Sequence, residues 1–163
     1  MSAFGPPAAT GIDRERVERR LAFIQEEVRA LRELLAEQTY LADPLRATIH
    51  PQDPWKRRGV RYAVQTAIEA VCDVAYHICA KRFRHAPADP HDAVERLAQE
   101  GVIAPELLPK LHGMIGLRNR LVHGYLDIDD RRLVELLKEG LGDFDAYVGA
   151  IRKLLGSSSA QAR

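Results

Sequence analysis

The chain has 163 residues, enough for one domain with a proper core and too few for two comfortable ones. Its formal net charge is +1, with 46% hydrophobic, 29% charged and only 6% aromatic residues, so any nucleic-acid footprint has to be local rather than global. No run of about 18 apolar residues reads as a membrane span, and MSAFGPPAATG lacks the basic and apolar regions of a secretory signal.

Residues 1–11, rich in Gly, Pro and Ala, read as a disordered N-terminal tail. Residues 12–155 read as a single domain of four to five helices with no strand, and residues 156–163 as a flexible C-terminal tail. The first helix is predicted over Asp13 to Ala42, with Val17, Leu21, Ile24, Val28, Leu31 and Leu35 at spacings of three and four. Pro44, Pro51 and Pro54 interrupt helix after it. The second helix is predicted from Pro54 to Phe83, with Asp53 as its N-cap. Its middle is apolar around most of its circumference, which predicts a central helix, and its Ala residues allow close approach by neighbours. Cys72 and Cys79 lie in it about 10 Å apart by helical rise, beyond disulfide reach. They read as buried thiols of a reducing compartment, hence a cytoplasmic chain.

A short helix follows over His91 to Glu100, stopped by Gly101. Pro105 opens the fourth, in which Leu108, Leu111, Ile115 and Val122 keep the apolar spacing and which ends near His123-Gly124. Asp127 to Asp130 supply an N-cap for the last helix, which buries Leu133, Leu136, Leu137, Leu141, Phe144, Val148 and Ile151 and runs to Leu155. Short loops between such segments favour an all-α, antiparallel up-and-down bundle.

The fourth helix ends in Arg118-Asn119-Arg120-Leu121-Val122-His123-Gly124-Tyr125. If helix persists, Arg118 and His123 differ by about 140° in azimuth while Asn119 and His123 share a face; fraying at Gly124 would swing the imidazole toward the arginine. An Arg can hold a phosphate bidentately and stabilise the added charge of a phosphorane, and a His can move the protons of RNA cleavage without a metal. A Tyr can bond a phosphate oxygen or stack on a base. One chain offers one suitable His, so concerted acid and base catalysis needs a second from a two-fold related subunit. By spacing alone the segment reads first as a charged helix end rather than an active site.

Residues RNRLVHGY resemble the R-x-x-x-x-H signature of the HEPN superfamily in its HepT-like form, which has a Tyr two residues after the His. The resemblance extends over Ala67-Ile68-Glu69-Ala70, Cys72 to His77, Ala93 to Leu97, Met114 to Leu117, Leu126 to Asp129 and Asp143-Phe144. It implies a HEPN-like bundle, a homodimer with a cleft at its interface, and a metal-independent endoribonuclease toxin. Arg118 and His123 match the catalytic pair, Asn119 the polar second position, and Tyr125 the trailing Tyr. Neither cofactor nor metal is implied. The implied partners are RNA and a cognate MntA-like nucleotidyltransferase antitoxin, which would silence the toxin by AMPylation of Tyr125. Two departures stand out: the Pro-rich stretch from Thr48 to Trp55, and Gly124 where a side chain is common.

Asp73 reads either as a one-turn hydrogen-bonded partner of His77 or as a carboxylate orienting Arg118 or His123. Lys56, Arg57, Arg58 and Arg61 form the densest basic cluster, a solvated face or an RNA-tracking strip that Arg120 could join, with Trp55 stacking or stapling beside it. His85, His91 and His112 read as surface residues. Two further functions stay open: a non-catalytic HEPN interaction module, and a substrate-binding subunit working with a nucleotidyltransferase.

Overall fold

The computed structural model describes residues 11–40 and 54–160. The N-terminal tail apart from Gly11, the expected N-cap Asp53 and almost all of the Pro-rich stretch lie outside the described residues. Five helices follow in chain order: α1 (Arg14–Tyr40), α2 (Pro54–Arg82), α3 (Pro90–Gln99), α4 (Leu108–His123) and α5 (Asp130–Ala160). Single 3-10 turns, Pro105–Leu107 and Tyr125–Asp127, precede and follow α4. No strand occurs among the described residues, in keeping with the predicted all-helical bundle.

The helix ends are set by side chains. Asp13 Oδ1 accepts the Arg16 N–H at 2.9 Å, while the Asp13 N–H donates to His77 Nε2 at 2.9 Å, so the start of α1 is tied to α2. Asp89 caps α3 through the Asp92 N–H, and Pro90 sits just inside. Gly101 closes α3 with φ +70, its N–H on Ala98 O and the Val102 N–H on Leu97 O. Asp129 caps α5 through the N–H groups of Arg131 and Arg132. The last helix continues to Ala160, past the Leu155 expected as its end. Ser157 returns its hydroxyl to the carbonyls of Lys153 and Leu154, a local bond that lets a serine stay helical.

As expected, α2 is the central element, packed by α1, α3 and α4. Val64, Ala67, Ile68 and Ile78 have no exposed surface, and Ala70, Val71 and Ala75 almost none. Each fully buried Ile or Leu contributes about 1.5–3 kcal/mol of burial. Across this helix α5 sends Tyr147, fully buried, whose hydroxyl donates to Val71 O at 2.9 Å. Burial drives that phenol's pKa far above its ordinary range. Val134 and Leu155 join the core as well, whereas Leu35 and Leu136, expected inside, are only partly covered. Cys72 and Cys79 are free and buried. No described helix is long and apolar enough to cross a membrane.

Candidate functional site

Leu111, Ile115 and Leu121 are the buried residues of α4. Arg118 falls three residues after Ile115 and three before Leu121, so helical periodicity turns it inward. Only 26% of its side chain is exposed, and its Nε is buried with no hydrogen-bond partner. Its Nη1 donates to Asn119 Oδ1 at 2.9 Å. Glu69 on α2 brings Oε1 to 3.9 Å from Nε, within ion-pair range but too far for a hydrogen bond. Glu69 is itself held by Gln65 Nε2 at 3.1 Å.

Two more α2 side chains register this cation. Burial pushes the Cys72 thiol up to about 11, with the Arg118 charge acting in the opposite sense. Burial likewise raises the Tyr76 phenol, again against the pull of Arg118. The guanidinium therefore sits in a partly desolvated notch between α2 and α4, incompletely paired. A charged donor in low dielectric attracts an anion more strongly than one in water.

His123 ends α4 and is exposed. The helix does not fray before it: the Gly124 N–H donates to Arg120 O at 2.8 Å, and the 3-10 turn begins at Tyr125. This corrects the expectation that the imidazole swings toward the arginine. A continuous helix separates Arg118 and His123 by about 140° in azimuth and about 7.5 Å along the axis. Asn119 and His123 share the exposed face, as expected. Gly124 has φ −120, a conformation open to any residue, and an added Cβ would lie 3.3 Å from Arg120 O. The backbone of Tyr125 turns directly off the end of α4; its side chain lies outside those described.

Other sequence candidates are placed elsewhere. Asp73 neither pairs with His77 nor reaches α4. Its Oδ2 stands 3.2 Å from Arg20 Nη2 on α1, and the carboxylate beside Arg118 is Glu69, one helical turn earlier. In the basic cluster, Arg61 donates to Asp130 Oδ1 at 2.8 Å and to Ile128 O, and Arg57 Nε lies 3.7 Å from Asp130 Oδ2. These two join the starts of α2 and α5. Arg58 lies over the Trp55 ring at 5.3 Å. Arg120 faces away from Arg118, toward a groove of about 450 Å³ between α4 and α5 that Ile68, Met114, Leu117 and Phe144 line. These three histidines are not simple surface residues: His91 on α3 and His112 on α4 stack with Nδ1 atoms 2.6 Å apart, and His85 Nε2 lies 3.1 Å from Asp92. Among the described residues no three His, Cys, Asp or Glu side chains converge as metal ligands.

Residues 24–151 match the family model described as ribonuclease HepT-like. An mRNA nuclease HepT of Shewanella oneidensis is 32% identical over 101 residues, which span 62% of this chain and 76% of the relative. A tRNA nuclease HepT of Aphanizomenon flos-aquae is 30% identical over 92 residues, spanning 56% of this chain and 63% of that one. Among solved structures, the tri-AMPylated HEPN toxin of Shewanella oneidensis in complex with an MNT antitoxin superposes with a TM-score of 0.72 at 24% identity, over 85% of this chain and 97% of that one. The chain belongs to the HepT-like ribonuclease family.

Proposed function

We propose that this HepT-like ribonuclease is a toxin that cleaves RNA without a metal, in a site completed by a second copy of the chain. The observation that carries the proposal is Arg118, a partly buried guanidinium whose nearest carboxylate stops at 3.9 Å, on the helix that ends in His123. One imidazole takes the proton of a ribose 2′-OH, and the 2′-oxygen attacks the adjacent phosphorus. Arg118 holds the non-bridging oxygens as negative charge builds on the phosphorane. A second imidazole, His123 of the two-fold mate, gives its proton to the departing 5′-oxygen. The products are a 2′,3′-cyclic phosphate and a 5′-hydroxyl.

The straight end of α4 supports the shared site. With Arg118 and His123 on divergent faces, one chain presents the phosphate clamp and the proton carrier in different directions. Asn119 bonds the Arg118 guanidinium and so orients it. Glu69 takes the role that the sequence offered to Asp73, since its carboxylate is the one beside Arg118. Lys56, Arg57, Arg58 and Arg61 are read as phosphate-tracking cations, of which Arg57 and Arg61 also serve α2–α5 docking, and Arg120 serves a different face of α4.

The tri-AMPylated state of the Shewanella toxin supports an MntA-like nucleotidyltransferase antitoxin as partner. Tyr125 is the acceptor proposed here. Its hydroxyl attacks the α-phosphorus of ATP, pyrophosphate leaves, and AMP stays on the phenol. That group adds bulk and negative charge one residue beyond Gly124, where it repels an incoming RNA phosphate. The test is cleavage of RNA by the purified chain in EDTA. The expected result is cyclic-phosphate ends from the native chain and none from His123→Ala; equal cleavage by both removes the proposal.

A further inference from the structure

Trp55 and Tyr62, both on α2, are 76% and 67% exposed. Seven positions apart, they differ by only about 20° in azimuth and stand about 10.5 Å apart along the helix. The next seven-residue step reaches Glu69, beside Arg118, and the next reaches Tyr76, which feels the Arg118 charge. The outer line of α2 thus leads from Trp55 to the phosphate clamp over about 21 Å, roughly the rise of six stacked nucleotides.

The first half of α2 carries basic residues only, although two of them meet Asp130 at the start of α5. Residues 54–68 contain Lys56, Arg57, Arg58 and Arg61 and neither Asp nor Glu. Cations at a helix N-terminus oppose the macrodipole, so helix stability alone does not favour them there. Together with that positive helix end they form an anion-attracting stretch. Arg58 packs its guanidinium over Trp55, so a cation and an aromatic face occur in one unit, and Tyr62 repeats the aromatic two turns later.

We propose that this line is a stacking track for single-stranded RNA: Trp55 and Tyr62 each hold a base, Arg58 contacts the backbone between them, and the strand is led to Arg118. The identity of the nucleic acid rests on the ribonuclease reading; the binding mode does not. A single strand repeats a π-face and an anion at every nucleotide, as the track repeats aromatic and cation. A duplex hides its base faces. A second copy seated on the same stretch would set like charges against each other.

Trp55 is the chain's only tryptophan, so its emission reports the track alone. The full-length His123→Ala chain is titrated with an unstructured 12-nucleotide RNA and with the same strand annealed to its complement, while anisotropy of labelled RNA reads affinity. The single strand is expected to quench Trp55 and to outcompete the duplex. Tyr62→Ala and Trp55→Ala are expected to weaken binding about 5- to 100-fold each, and Trp55→Phe and Tyr62→Phe to stay within about threefold of the parent. Both side chains are exposed, so melting temperature should not move. Unchanged emission at saturating RNA, equal affinity for duplex, or alanine variants that bind like the parent would each overturn the track. So would a change of oligomeric state in Trp55→Ala with RNA affinity intact, which would make the line a subunit seam. Quenching and alanine losses without cleavage by the native chain would keep the track and remove the nuclease reading. Cleavage with unquenched Trp55 would do the reverse.

Discussion

Arg96 on α3 and Arg118 on α4 each bury an Nε–H that donates to nothing, yet their guanidinium groups keep different company. Arg96 holds Glu100 Oε1 at 2.6 Å through Nη2 and lies 6.0 Å from the centroid of the Phe83 ring. A carboxylate in contact and an aromatic ring offset the missing bond. Arg118 has an amide neighbour and a carboxylate that stops at 3.9 Å. The same orphan atom thus sits beside a charge that is met in Arg96 and one that is met less fully in Arg118. Buried polarity by itself does not locate function; incomplete compensation does.

That contrast can be broken by exchanging the two arginines' fates. Arg118→Ala should lower RNA cleavage by about 10²–10³-fold while leaving the melting temperature close to the parent's, because the residue clamps charge and holds no core. Arg96→Ala should do the opposite, costing about 1–2 kcal/mol in urea unfolding with cleavage within about twofold. A variant pair that lost activity and stability together would erase the distinction. Tyr147→Phe gives a calibration of a fully satisfied buried group: loss of the hydroxyl bond to Val71 O should cost about 1 kcal/mol, read as a melting-temperature drop of about 2–4 °C.

Smaller effects sharpen the same picture. Glu69→Gln neutralises the carboxylate that, among the described residues, pairs with Arg118, and should tighten RNA binding about two- to threefold, a gain that added salt erases. His77 tests pH. Burial first, then the nearby Arg16 charge, lowers its pKa, and its Nε2 accepts the Asp13 N–H as a neutral ring. The unfolded chain therefore takes up that proton more readily than the folded one. The stabilisation is complete above the ordinary histidine value of about 6.5 and declines as pH falls through it toward the lower folded value. Thermal melts from pH 7.5 to 5.5 should show the decline, and His77→Gln should flatten it.

Much of the architecture was legible because the helices obey simple periodicity. The apolar middle of α2 announced a central helix, and Gly101 marked the end of α3. Tyr147 was missed although it continues the spacing from Phe144, since a phenol reads as a surface residue until a partner such as Val71 O is known. Leu121, not Val122, proved buried, because the inward face of α4 runs through Leu111, Ile115 and Arg118. The RNRLVHGY segment carried the family resemblance, which the match over residues 24–151 bears out. The carboxylate beside its first arginine was not legible: Asp73 and Glu69 lie one turn apart on α2, and only the positions of α1 and α4 decide that one meets Arg20 and the other Arg118. Tertiary placement of that kind leaves no local signature.

The central claim is that each cleavage event draws on two copies of His123. Native and His123→Ala chains are co-refolded at equal amounts and fixed total concentration, and cleavage in EDTA is compared with the native protein alone. If both imidazoles serve one site, only native–native pairs are active and roughly a quarter of the activity remains, falling as the square of the native fraction. Roughly half remaining, with a linear dependence, would mean that each chain cleaves with its own histidine and would contradict the account.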